Sequence, residues 1–267
     1  MASLSPSLNV MIMAVRKAGR RIIRDFGEIE NLQVSQKSAA SFMATTEAKS
    51  EKALLDYLQE VRPRYNFSVR DTKEISGEDS SNRFLISPLD GEINFLHGIP
   101  MFSLSLTLYR DNDIFAGVIY NPIMDELFYA EKGSGAFLMT AQGDKRLRVS
   151  GRKNLSEALI GVDFAQSEDL QDTSDYMLPL LKKTIGARRL GCIPLNLAYV
   201  AAGRFDGGIY RGAKPWQSAP GFLLVKEAGG HVRNDKGAEK SAEVLLSKDM
   251  IASNDNMDAE ITRALGK

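Results

Sequence analysis

Asp90 and Glu92 flank Gly91 inside the run Ile86-Ser-Pro-Leu-Asp-Gly-Glu-Ile-Asn-Phe-Leu-His-Gly-Ile-Pro100, where proline and glycine mark tight turns. A hard cation such as Mg²⁺ needs several anionic oxygens presented together, and this loop offers two carboxylates. Arg70, beside Asp71, brings the opposite chemistry, since a guanidinium and the amides of Gly91 and Glu92 suit a phosphate held without metal. Other familiar chemistries find no support. His97 and His231 lie far apart and Cys192 is the single cysteine, so no zinc-ligand spacing exists. Gly133-Ser134-Gly135 lacks the lysine of a phosphate loop and reads as a turn. Ser103 and Ser105 alternate with Leu104 and Leu106 as one face of a strand.

The elements that must position these groups divide near Ser150. Leu8, Met11, Ile12, Val15, Ala18, Ile22 and Phe26 recur at helical spacing, predicting an amphipathic helix over residues 8–26 whose basic side chains form the solvated face. A second helix is expected from Thr46, with Thr45 or Thr46 as its cap, to Arg62 before Pro63. Short strands follow at 84–86, 102–109, 114–120 and 127–130, with a hairpin turn at Asp111-Asn112-Asp113. The first half, 1–150, therefore reads as α+β: two helices on a mostly antiparallel sheet. The second, 151–267, reads as α/β, with strands at 159–164 and 207–210 and helices at 175–184, 194–203, 220–228 and 259–265. No long linker separates the halves, so they are expected to pack as one unit.

Composition bounds the function classes. A 267-residue chain that is 43% hydrophobic can bury a large core. Lys+Arg and Asp+Glu balance at 34 each, giving no whole-chain footprint for nucleic acid or anionic lipid, so any such contact would rest on a local patch. No stretch reaches the ~20 apolar residues of a membrane helix, and no signal-like run opens the chain. A soluble, cytoplasmic, reduced setting is the expectation.

Four segments in order resemble the inositol monophosphatase family, bacterial branch, of the extragenic-suppressor type. They are Lys37 to Glu51, Tyr65 to Gly77, the loop around Asp90, and Lys214-Pro-Trp-Gln-Ser-Ala-Pro-Gly221 followed by Glu227-Ala-Gly-Gly230. Gly133 to Phe137 and Leu197 to Gly207 add to the likeness. The resemblance implies a layered αβαβα sandwich, homodimers, and Mg²⁺-dependent hydrolysis of phosphomonoesters at a site between the halves. It also implies specific ligands, and here the chain departs. The family's metal-binding carboxylates fall on Arg70, Ser87, Asp90 and Gln217, so of those positions only Asp90 keeps a negative charge. The family's loop threonine and the aspartate that help activate water fall on Glu92 and Glu47. Positions of the substrate pocket fall on Cys192, Ile193, Pro194 and Tyr210, bulkier or neutral where the family is small or charged.

Three expectations follow from these substitutions. The first is a catalytically impaired or inactive family member, a pseudoenzyme with a binding or regulatory role and no cofactor in functional amounts. Its partner, by analogy with the bacterial branch, would belong to transcription or ribosome assembly. The second is a weak or altered phosphomonoesterase in which Asp71, Asp90 and Glu92 gather one weakly bound Mg²⁺. The third is a metal-free anion site built on Arg70, Gly91 and Glu92.

Overall fold

The computed structural model describes residues 4–32, 36–70, 72–165 and 170–266. Two long helices, α1 (Pro6–Leu32) and α2 (Gln36–Val61), lie side by side and press their apolar stripes onto the first sheet. On α1, Met11, Val15, Ala18 and Ile22 are fully buried at the spacing read from the sequence. Burying each large aliphatic side chain contributes roughly 1.5–3 kcal/mol before conformational entropy is counted. The start expected for α2 is wrong by about three turns. Thr45 and Thr46 sit inside the helix, where Thr45 Oγ1 donates back to Ser41 O at 2.9 Å and Thr46 Oγ1 to buried Asp25 Oδ2 on α1 at 3.0 Å. A threonine that serves as a tertiary tie looks, in sequence, like a cap.

The first sheet has eight strands: β1 (Asn66–Val69), β2 (Lys73–Ile75), β3 (Asn82–Asp90), β4 (Ser103–Arg110), β5 (Asp113–Asn121), β6 (Glu126–Glu131), β7 (Gly135–Thr140) and β8 (Gly143–Arg146). Their order is β2-β1-β3-β4-β5-β6-β7-β8, antiparallel throughout except where β1 runs parallel to β3. The short helix α3 (Glu92–Leu96) follows β3. The hairpin at Asp111-Asn112 forms as expected, both residues taking positive φ (51° and 64°) as a tight turn requires.

A second, five-stranded mixed sheet is built from β9 (Leu159–Phe164), β10 (Gly186–Arg188), β11 (Gly207–Arg211), β12 (His231–Asn234) and β13 (Met250–Ser253), in the order β10-β9-β11-β13-β12. The helices α4 (Leu170–Leu181) and α8 (Asp255–Ala264) share one apolar cluster with this sheet. Between the two sheets lie α5 (Ile193–Ala201) and α6 (Pro215–Glu227), with α7 (Ser241–Ser247) at their edge. The layers thus run helix, sheet, helix, sheet, helix. The helix expected at 220–228 begins five residues earlier, with Pro215 in its first turn and Pro220 inside it, packed on the backbone of Gly117 in β5. Close packing also governs the middle layer: a Cβ at Gly221 would lie 2.4 Å from Leu197 Cβ on α5. That glycine lets the two helices touch.

Candidate functional site

A crevice of about 810 Å³ opens where β3, β9 and the first turn of α6 converge. One wall comes from the Asp90–Asn94 segment. The register of β3 against β4 shifts between Ser87 and Asp90, and Gly91 then takes φ 92°, where a Cβ would stand 2.8 Å from Met101 O. The bulge and the glycine turn together place Asp90 and Glu92 at the same mouth. Asn94 clamps the loop to the second half, donating to Met101 O and Leu190 O, each at 2.6 Å.

Arg70 enters this cluster from the end of β1 in a left-handed backbone conformation, φ 48°. Its Nη1 lies 2.8 Å from Glu47 Oε1 on α2, while Nη2 bonds both Glu92 Oε1 and Leu89 O. Burial pulls the guanidinium pKa down, but the charge and hydrogen bond of Glu92, then the charges of Glu47 and Asp90, outweigh it and hold the pKa above its usual range. Glu47 is pushed up by burial, against Arg70 and with help from Glu92 and Glu51. The side chains of Arg70 and Glu47 are only 19% and 22% exposed, so this is a partly desolvated ionic knot rather than a surface pair.

Asp90 is 2% exposed, and its carboxyl is pushed up to about 7, first by burial and then by the charge of Glu92. Gln217 opposes that shift by donating from Nε2 to Asp90 Oδ2 at 2.7 Å. The glutamine amide cannot turn round without loss. Its Oε1 accepts from the Lys214 N–H at 3.1 Å, the usual task of a glutamine at the third position of a helix. Gln217 therefore shows Asp90 a donor, where an aspartate would show a cation two more oxygens. Ser87 Oγ, the other exchanged position, is buried with no hydrogen-bond partner.

These residues do not fit a multi-metal Mg²⁺ site. Among the described residues no group of three or more His, Cys, Asp or Glu is placed to hold a metal ion. The carboxylates at the mouth are already engaged, Glu47 and Glu92 by a guanidinium and Asp90 by an amide. Asp71 lies outside the described residues.

The structure brings Arg70, Asp90, Gly91, Glu92, Ile93 and Gln217 to one crevice, with Glu47 behind Arg70. Of the four positions expected in the substrate pocket, only Ile193 reaches its surface. Cys192, Pro194 and Tyr210 are buried behind that wall, Tyr210 with its hydroxyl unpartnered and Cys192 Sγ 3.3 Å from Ser103 Oγ. Sequence reading missed the opposite wall, where buried Asp163, next to last in β9, pairs with Arg189 Nε at 3.2 Å. Asn196 donates to its other oxygen at 3.3 Å. Burial raises the Asp163 pKa against the pull of Arg189, whose guanidinium also covers the Phe164 ring. A carboxylate inside the apolar run Leu159–Phe164 was the available signal.

Comparison with known proteins agrees with this architecture. The pattern of the inositol monophosphatase family matches residues 3–267. An inositol-1-monophosphatase of Mesorhizobium japonicum is 41% identical over 98% of this chain and 97% of its own. A putative Nus factor SuhB of Neisseria meningitidis serogroup B is 33% identical over 98% of each chain. Among solved structures, the extragenic suppressor protein SuhB of Bartonella henselae superposes with a TM-score of 0.87 at 39% identity, covering 98% of this chain and 100% of that one. With the family pattern spanning nearly its whole length and the layered fold shared, this chain belongs to the inositol monophosphatase family.

Proposed function

We propose that this protein keeps the family fold but acts as a binding or regulatory protein, without Mg²⁺-dependent phosphomonoester hydrolysis at ordinary enzymatic rates. The observation that carries this reading is the polarity of the crevice mouth. Arg70 is a permanent internal cation bonded to Glu47 and Glu92, and Gln217 turns a hydrogen-bond donor toward Asp90. A divalent ion brought within ~4 Å of that guanidinium would be repelled by several kcal/mol at an intermediate effective dielectric. It would find one carboxylate that burial already inclines to protonation. The Nus-factor names of several relatives support a protein partner in the transcription machinery. A homodimer in the cytoplasm belongs to the same proposal.

The inositol-1-monophosphatase names of relatives at 41% and 44% identity support phosphatase activity, and the competing reading is a weak phosphomonoesterase holding one Mg²⁺. One experiment separates the two. Phosphate release from inositol monophosphate, and the melting temperature, are measured with and without millimolar-range Mg²⁺. The expected result is no Mg²⁺-dependent turnover and no appreciable thermal shift, since a ligand stabilises only as far as it exceeds its dissociation constant. Turnover within the ordinary ~1–10³ s⁻¹ overturns the proposal. The metal-free anion reading draws less support, because both terminal nitrogens of Arg70 are occupied and a phosphate would have to displace a carboxylate.

A further inference from the structure

The chain is electrically neutral overall, yet α1 carries Lys17, Arg20, Arg21 and Arg24 on its solvent side, with Arg16 at the edge of that face over the Tyr120 ring of β5. Lys17, Arg20, Arg21 and Arg24 are exposed and Arg16 partly so. Of the acidic residues that follow on the helix, Asp25 is buried, hydrogen-bonded by Thr46 and 3.5 Å from Arg24 Nε, while Glu28, one turn beyond Arg24, is exposed and joins no ion pair among the described residues. Arg16 Nη1 stands 3.7 Å from Asp125 Oδ1, and Lys17 lies over the Tyr57 ring. Arg20 and Arg21 join no ion pair among the described residues. Lys17, Arg20 and Arg21 thus carry charge without an ion-pair partner among the described residues, a local feature of a neutral protein with its own electrostatic consequence.

We propose that this face of α1 docks the phosphate backbone of a single nucleic-acid strand, a contact independent of the crevice. Arg16, Arg20 and Arg24 follow one another every fourth residue, a step of about 6 Å along the helix, on the scale that separates neighbouring phosphates in a strand. Lys17 and Arg21 form a second row beside them. Guanidinium groups predominate, and these bind phosphate oxygens bidentately. The helix is unsuited to a bilayer, because its apolar stripe, Met11, Ile12, Val15, Ala18 and Ile22, is already packed in the core and only the isolated Met13 and Ile23 are left to insert. It is equally unsuited to an acidic protein, whose interface would need an apolar centre; the exposed apolar residues here, Met13 and Ile23, flank the charges singly.

The test is fluorescence anisotropy of a labelled mixed-sequence single-stranded RNA of about 20 nucleotides against the full chain, from about 50 to 200 mM salt. Three to five phosphate contacts predict a slope of log K against log salt of about −2 to −3.5. The double variant Arg20→Glu/Arg21→Glu should weaken binding at least about tenfold with an unchanged melting temperature, and Arg20→Gln/Arg21→Gln should weaken it less. Absence of binding at low salt, equal binding by wild type and the charge-reversed variant, or tighter binding to anionic phospholipid vesicles overturns the proposal.

Discussion

Replacing Asp90 with asparagine is expected to stabilise the protein above neutral pH, the reverse of what removing a needed acidic ligand would do. The carboxyl is 2% exposed and titrates near 7, against an ordinary value of 3.8, because burial and the charge of Glu92 outweigh Gln217, Arg70 and Cys192. Between those two values the native state holds a proton that the unfolded chain has released. By linkage, stability is full below pH 3.8 and falls as pH rises through about 7. Three units at ~1.36 kcal/mol each set a ceiling of about 4 kcal/mol, and relaxation around the site brings the expectation to about 2–4 kcal/mol. Asparagine keeps the shape, can still accept from Gln217 through Oδ1, and stays neutral. Urea unfolding of both proteins without metal should show the variant ahead by that amount at about pH 8, and by under about 1 kcal/mol near pH 4. The shift at Glu47 occurs in both proteins and cancels in the difference. A variant that is less stable at pH 8, or a difference independent of pH, refutes the electrostatic account of the crevice.

Arg70→Met should cost about 3 kcal/mol near neutral pH, because it strands two partly buried carboxylates while keeping the apolar stem. Adding Glu47→Gln and Glu92→Gln should recover much of that loss in the same unfolding assay, and no recovery would show that the arginine acts by packing alone. Gly221→Ala should lower stability by about 1–3 kcal/mol, since its Cβ would meet Leu197 Cβ at 2.4 Å and force α5 and α6 apart. An unchanged melting temperature would mean that the middle layer is looser than its contacts indicate.

Periodicity determined the buried stripe of α1 and the strands from residue 102 to residue 130, and residue type the turn at Asp111-Asn112, because those signals are local. The family resemblance, carried by local motifs, implied the ligand positions Arg70, Ser87, Asp90 and Gln217, of which only Asp90 keeps its carboxylate. Tertiary structure decided what those exchanges do. Arg70 finds Glu47 on one helix and Glu92 on another, and Asp90 meets Gln217 across 127 residues of sequence. No pattern along the chain encodes which partner a guanidinium selects when several carboxylates converge. The orientation of the Gln217 amide depends in turn on the Lys214 N–H that its oxygen caps. The same limit explains the misplaced start of α2, where the Thr46 hydroxyl serves Asp25 on a neighbouring helix rather than its own backbone. It explains Cys192 and Tyr210 too, whose burial behind the crevice wall follows from the packing of α5 and β11 rather than from their own chemistry. Local preferences set the elements; the charge and hydrogen-bond partners that give this crevice its character exist only once the layers close.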